Sequence, residues 1–138
     1  MIQNGGINGY WTHYILMHPT HGRVTGKNNR GEIFSNLEKN LLDGFPTTLA
    51  TQQRFEIFLQ QNQASVKNHA KLACIPCGMM GELLYLDYTN VTGFELTGFD
   101  LDITTMEQMK KLLENIGFKN IRIFPDNANI FPTIVANK

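Results

Sequence analysis

The chain has 138 residues, a length that suits one domain with a hydrophobic core. Twelve lysines and arginines balance twelve aspartates and glutamates, so the composition does not favour nucleic-acid binding. No apolar run approaches the roughly 20 residues that span a bilayer, and the first residues lack the basic-then-apolar order of a signal peptide. These exclusions predict a cytoplasmic location and no membrane partner.

Residues 1–67 are predicted to form the N-terminal irregular and helical segment of a single domain, 1–138. Residues 1–31 are rich in Gly, Asn and His and show no sustained hydrophobic period, so we expect irregular structure there. Apolar residues at helical spacing predict helices over residues 32–43, closed by Gly44, and over residues 51–63. The aromatic residues Tyr10, Trp11 and Tyr14 either line the mouth of a site or pack the segment down, and the three nearby histidines are expected in exposed loops.

Residues 68–138 are predicted to form an α/β core. Four short apolar runs predict strands over residues 72–75, 94–99, 118–124 and 130–136, with a turn-rich loop between the last two. An amphipathic segment over residues 82–88 predicts a short helix after the first strand. A longer helix is expected after the second strand, capped by Thr104 or Thr105 and ended by Gly117.

The stretch from the first to the second of these strands carries a pattern typical of nucleotide sites. Gly78 and Gly81 bracket the turn after the first strand, where backbone N–H groups could approach a ligand. Asp100 and Asp102 close the second strand, about 20 residues on, where a carboxylate can hold a ribose hydroxyl. The pattern predicts a nucleotide-like cofactor.

These residues resemble the cofactor-binding core of class I S-adenosylmethionine-dependent methyltransferases. LACIPCGMMGELL resembles the first motif of that family, GFELTGFDLD its second, and LLENIGFKNIRIF its last helix and closing hairpin. The resemblance implies a Rossmann-like sheet and S-adenosylmethionine as the cofactor. It also implies a set of cofactor-binding residues, namely Cys77, Gly78, Met79, Gly81, Asp100 and Asp102.

The chain departs from this family in two respects. Cys74 and Pro76 stand where an acidic residue and a glycine are usual, and Gly81 comes one position late. In addition, Asp102 runs directly into the terminal helix, so the strand–helix units that carry substrate and catalytic residues have no counterpart. The resemblance therefore implies a truncated, methyltransferase-like protein that binds its cofactor with reduced or no catalysis, and catalytic residues are not assigned. A non-enzymatic binding or scaffold remnant is the alternative.

Truncation would leave the outer edge of the first strand without its usual neighbour. We expect either the terminal strand, residues 130–136, to cover that edge, or a second copy of the chain to do so by strand or hairpin exchange. The second outcome predicts a homodimer.

The pair Cys74 and Cys77 supports a further alternative of a different class. A CxxC between a strand and a helix is the redox arrangement of thioredoxin-like proteins. Two buried, unreactive thiols in a packed turn are the simpler expectation, since Cys74 falls inside the predicted strand. Zinc is not predicted, because no second ligand pair accompanies these cysteines.

Overall fold

The computed structural model describes residues 9–126 and 132–138 and shows a mixed α/β fold. A helical N-terminal part precedes an open four-stranded sheet with two further helices. The helices are α1 (Gly9–Met17), α2 (Arg23–Thr25), α3 (Asn36–Lys39), α4 (Pro46–Gln63), α5 (Gly81–Leu84) and α6 (Ile103–Asn115), with π-helical turns at His18–Gly22 and Asn40–Gly44. The strands are β1 (Lys71–Cys74), β2 (Glu95–Phe99), β3 (Lys119–Phe124) and β4 (Thr133–Asn137).

The expectation of an irregular N-terminal segment was wrong for residues 9–25, which form α1, a π-helical turn and α2. Helix α1 packs against α4 and has no fully buried residue. Most of its side chains are half-buried. A helix without one clearly buried face shows no hydrophobic period, so periodicity could not reveal it.

The two predicted N-terminal helices exist with shifted starts. The first begins at Asn36, because the Ser35 side chain caps it and Glu38 completes a capping box. Ile33, counted in the predicted helix, is 81% exposed and pairs with Lys27 in an isolated β-bridge. Helix α4 begins at Pro46, five residues earlier than expected, since proline suits the first turn of a helix.

All four predicted strands are present, with boundaries within a few residues of those expected. The order in the sheet is β1-β2-β4-β3. Strands β1 and β2 are parallel, whereas β4 is antiparallel to both β2 and β3. Residues 127–131, which include most of the predicted hairpin loop and the first two residues of the predicted last strand, lie outside the described residues.

The terminal hairpin does not cover β1, and this corrects the sequence-based expectation. Strand β4 pairs with β2, with Leu96 opposite Ala136. Strands β2 and β3 are both antiparallel to β4 and are joined through α6, so the crossover leaves a one-strand space that β4 fills. Strand β1 is therefore an edge of the sheet.

Helix α6 covers one face of the sheet and completes the core. Met106, Met109 and Leu113 on its apolar face are fully buried beside Phe94 and Ile134. Gly117 ends the helix in a left-handed conformation with φ +86°. Its N–H donates to the carbonyl of Glu114, and that of Phe118 donates to Leu113, the pattern of a Schellman motif. No helix in the described part of the chain is both long and apolar enough to cross a membrane.

Candidate functional site

The turn after β1 holds its backbone in two left-handed conformations. Gly78 has φ +47° and Met80 has φ +50°. The Met80 side chain is completely buried. The carbonyl of Met80 accepts hydrogen bonds from the N–H groups of Leu83 and Leu84. Helix α5 is only the four residues that follow, not the predicted 82–88. A single turn has little macrodipole, so this site depends on individual backbone and side-chain groups.

Asp100, at the end of β2, is bound to this turn. Its Oδ2 accepts a hydrogen bond from the Gly78 N–H at 2.6 Å, and its Oδ1 accepts from the N–H groups of Leu101 (2.8 Å) and Asp102 (3.1 Å). The Cys77 N–H donates to the carbonyl of Phe99 at 2.8 Å. The carboxyl ends of the two parallel strands are therefore joined by backbone and carboxylate contacts.

A cavity of about 380 Å³ opens at this end of β1 and β2. Five of the six predicted cofactor-binding residues line it, namely Cys77, Gly78, Met79, Gly81 and Asp100. Helices α1 and α4 supply the opposite wall, and the charged groups in the lining are Arg54, Glu82 and Asp100. Open α/β sheets bind ligands at the carboxyl ends of their strands, which is where this cavity lies.

Asp102, the sixth predicted residue, does not line this cavity. It is the N-cap of α6, where its Oδ1 accepts from the Thr104 N–H at 3.0 Å and its Oδ2 from the Thr105 hydroxyl at 2.5 Å. The predicted threonine caps are thus helical residues that donate to the true cap. Aspartate and threonine are both preferred N-cap residues, so local preference did not distinguish Asp102 from the two threonines.

The N-terminal wall of the cavity was missed by the sequence analysis. Gly9, Thr12, His13 and Leu16 of α1 line it. Gly9 is so close to the turn that an added Cβ would lie 2.8 Å from Gly78 Cα and 2.7 Å from Thr105 Cγ2. Glycine at position 9 therefore permits α1 to dock on the Gly78 turn, and a single sequence does not distinguish this glycine from its Gly-rich surroundings.

The N-terminal histidines are not all exposed, as had been expected. His18 is 2% exposed, and its Nε2 lies 3.0 Å from Asp43 Oδ1, which also accepts from Arg23 Nε at 2.5 Å. The ring of His13 stacks on that of Tyr85, with Nε2 3.0 Å from the Tyr85 hydroxyl. Burial lowers the pKa of His13 and outweighs the opposing charge of Glu82. His13 is therefore a neutral imidazole near pH 7, and His21 alone of the three is exposed.

Both cysteines are free thiols. The Cys74 thiol donates to Glu82 Oε1 at 3.0 Å, and burial followed by this carboxylate raises its pKa. Burial raises the pKa of Cys77 to about 12. Redox-active cysteines have depressed pKa values, so this environment disfavours thioredoxin-like chemistry. Within the described residues, no group of three or more metal-ligating side chains is assembled.

Comparison with known proteins places the fold but not the family. No family model matches the chain, and no curated protein matches it. A crystal structure described as a "possible exported protein" from Bordetella parapertussis superposes with a TM-score of 0.52 at 17% identity, covering 98% of this chain and 80% of that one. At this identity the likeness concerns the fold alone.

Proposed function

We propose that the chain is a methyltransferase-like protein with a truncated Rossmann-like sheet, and that it binds S-adenosylmethionine in the 380 Å³ cavity. The observation that carries this proposal is the convergence of two sequence motifs on one cavity. The Gly78–Gly81 turn after β1 and Asp100 at the end of β2 come from separate segments, and both line it. Such convergence is what a cofactor that contacts both motifs requires.

The chemistry of the cavity lining supports the same ligand. S-adenosylmethionine carries a carboxylate, cationic ammonium and sulfonium groups, a ribose diol and an apolar purine face. Arg54 can pair with the carboxylate and Glu82 with a cationic group, while Phe55 and Phe58 offer ring surfaces to the purine. The cavity volume lies within the usual range for small-molecule sites, about 300–1,000 Å³.

Asp100 is the proposed ribose ligand, with a restricted capacity. A carboxylate oxygen accepts about two hydrogen bonds. Its Oδ1 already accepts two, from Leu101 and Asp102, whereas Oδ2 accepts one, from Gly78. One ribose hydroxyl can therefore bind Oδ2 without disrupting the turn, and the second hydroxyl needs another acceptor.

Isothermal titration calorimetry with S-adenosylmethionine, S-adenosylhomocysteine, adenosine and methionine tests this proposal. We expect saturable binding of the first two ligands and much weaker binding of the last two, because each fragment engages only one end of the cavity. Arg54→Gln should weaken S-adenosylmethionine binding and leave adenosine binding unchanged. Arg122→Gln, an exposed charge on β3, is the matched control. If the wild-type protein bound adenosine as tightly as S-adenosylmethionine, the methionine part of the cofactor would contribute nothing to affinity, and the assignment would be refuted.

Turnover is a separate question from binding. The strand–helix units that carry catalytic loops in the family have no counterpart between Asp102 and α6, which begins at Ile103. We therefore propose reduced or absent catalysis, with a non-enzymatic binding module as the alternative. Release of S-adenosylhomocysteine in the presence of an acceptor would separate these two.

A further inference from the structure

A second cavity, of about 350 Å³, lies on the other side of α1 and is not part of the predicted cofactor site. It is lined mostly by aromatic and imidazole rings, with one flexible cation and one amide: Tyr10, His13, Tyr14, Met17, His18, His21, Gly22, Lys27, Asn29 and Tyr85. Of the described residues that line the two cavities, His13 is common to both.

The second cavity contains polar groups whose hydrogen bonding is incomplete. The Tyr14 hydroxyl and the Nδ1 atom of His18 are buried and find no hydrogen-bond partner among the described residues. The Tyr10 hydroxyl, by contrast, accepts a hydrogen bond from the Asn29 amide. Buried polar groups are normally satisfied by protein, water or ligand, so these two atoms leave unused hydrogen-bonding capacity in residues that line the cavity.

The charged group in the lining of this cavity is a cation. None of the described residues that line it is acidic, and Lys27 carries an ammonium group. Of the carboxylates behind the lining, Asp43 contacts both His18 and Arg23, and Glu38, after burial, contributes to the raised pKa of Tyr14. Flat ring surfaces with a cation at the rim complement a planar aromatic ligand that bears an anionic group.

We propose that this second cavity binds a small aromatic carboxylic acid, with its ring against the tyrosine and histidine rings and its carboxylate at Lys27. This site is separate from the proposed cofactor cavity, although His13 lines both.

The probe for this site is 4-hydroxybenzoate, titrated into the whole chain without cofactor. We expect saturable binding, accompanied by a change in the fluorescence of Trp11, whose ring contacts those of Tyr10 and Tyr14. Cyclohexanecarboxylate, with the same charge and no aromatic face, should bind more weakly. Lys27→Gln should weaken 4-hydroxybenzoate binding about tenfold, since it removes a charge-assisted contact. Tyr14→Phe, which keeps the ring, should weaken it by a smaller factor.

Two controls separate this inference from the proposed function. Lys39→Gln, an exposed charge on α3, should bind 4-hydroxybenzoate as the wild type does. Lys27→Gln should bind S-adenosylmethionine unchanged. Binding of the aromatic acid without binding of S-adenosylmethionine would support the aromatic-acid site and refute the cofactor assignment. Absence of saturable 4-hydroxybenzoate binding, or equal affinity in the wild type and Lys27→Gln, would overturn the site itself.

Discussion

Asp100 Oδ2 accepts a hydrogen bond from the backbone N–H of Gly78 at 2.6 Å, across 22 positions of sequence. This contact joins the ends of two neighbouring parallel strands, and it occupies the backbone donor that a nucleotide-like ligand would otherwise use. Asp100 is consequently both a structural tie and the proposed ribose ligand. Substitutions at this position must be interpreted with both roles in mind.

Asp100→Asn should weaken S-adenosylmethionine binding by about 1.5–3 kcal/mol, the usual contribution of a hydrogen bond to a charged group. The amide keeps one acceptor oxygen and the shape of the side chain, so the turn should be perturbed less than in Asp100→Ala. Calorimetry measures the affinity and urea unfolding measures the stability of both variants. Equal affinity of wild type and Asp100→Asn for S-adenosylmethionine would exclude the ribose role.

Asp102→Ala should reduce stability and leave ligand affinity unchanged, the opposite of what we expect for Asp100→Asn. Loss of the α6 N-cap is expected to lower the free energy of unfolding by about 0.5–2 kcal/mol. Ligand affinity should stay near that of the wild type, because Asp102 faces Thr104 and Thr105 rather than the cavity. Glu107→Ala, an exposed acidic residue of the same helix, is the control for loss of charge alone. A large loss of S-adenosylmethionine affinity in a folded Asp102→Ala protein would contradict this division of roles.

Cys74 and Cys77 should react slowly with iodoacetamide in the native protein at pH 8. Burial raises the pKa of Cys77 to about 12, so its reactive thiolate is scarce, and we expect alkylation about a hundredfold slower than in the denatured chain. Mass spectrometry of the labelled protein gives both rates. Rapid native labelling, or clear activity in an insulin-reduction assay, would instead support the redox alternative.

The same thiols predict a loss of stability at alkaline pH. Both folded pKa values lie above the ordinary value of 9.0, so the folded chain keeps protons that the unfolded chain releases. The contribution of these protonated thiols to the free energy of unfolding is fully present below pH 9 and declines as the pH rises above 9. Urea unfolding between pH 8 and about 11 should show this decline, and the double variant Cys74→Ala, Cys77→Ala should show a shallower one. Burial also raises the pKa values of Tyr14, Tyr85 and Tyr88, so an unchanged slope in that variant would assign the decline to these phenols.

Gly9→Ala should destabilise the protein by about 1–3 kcal/mol through overpacking. Its methyl group would lie within 2.8 Å of both Gly78 Cα and Thr105 Cγ2. The Gly78 Cα cannot move without shifting the turn, and rotation of the Thr105 side chain would break its hydrogen bond to Asp102. Gly44→Ala is the matched control, because nothing lies within 4 Å of its added Cβ. Thermal unfolding compares the two, and equal melting temperatures would show that α1 does not dock on the turn in solution.

A homodimer remains a prediction, now placed at the outer edge of β1. Among the described residues that edge has no strand partner, and Ile75 beside it is 72% exposed. Size-exclusion chromatography with light scattering should detect a dimer that Ile75→Lys weakens, since a charge at a strand edge opposes pairing. A strictly monomeric wild-type chain would rule out pairing of two chains at this edge.

The four strands could be located from the sequence because each is a short apolar run bounded by Gly, Pro or Asp. The same is true of α6, in which Met106, Met109 and Leu113 recur at helical spacing and whose end is marked by Gly117. These signals come from residues that are close in sequence, so they can be recognised without knowing which elements pack together. The convergence of Gly78, Gly81 and Asp100 could also be predicted, because parallel neighbouring strands bring their carboxyl ends together.

Tertiary structure alone decided the neighbour of β4, the docking of α1 and the separate roles of Asp100 and Asp102. Strand β4 could pair with either β1 or β2 on local pattern, and only the path of α6 between β2 and β3 left the space beside β2. Helix α1 has no buried face of its own and depends on a close approach of Gly9 to Gly78. The two aspartates differ because one meets the N–H of Gly78 and the other the first turn of α6, and such long-range or competing hydrogen bonds leave no periodic trace in a sequence.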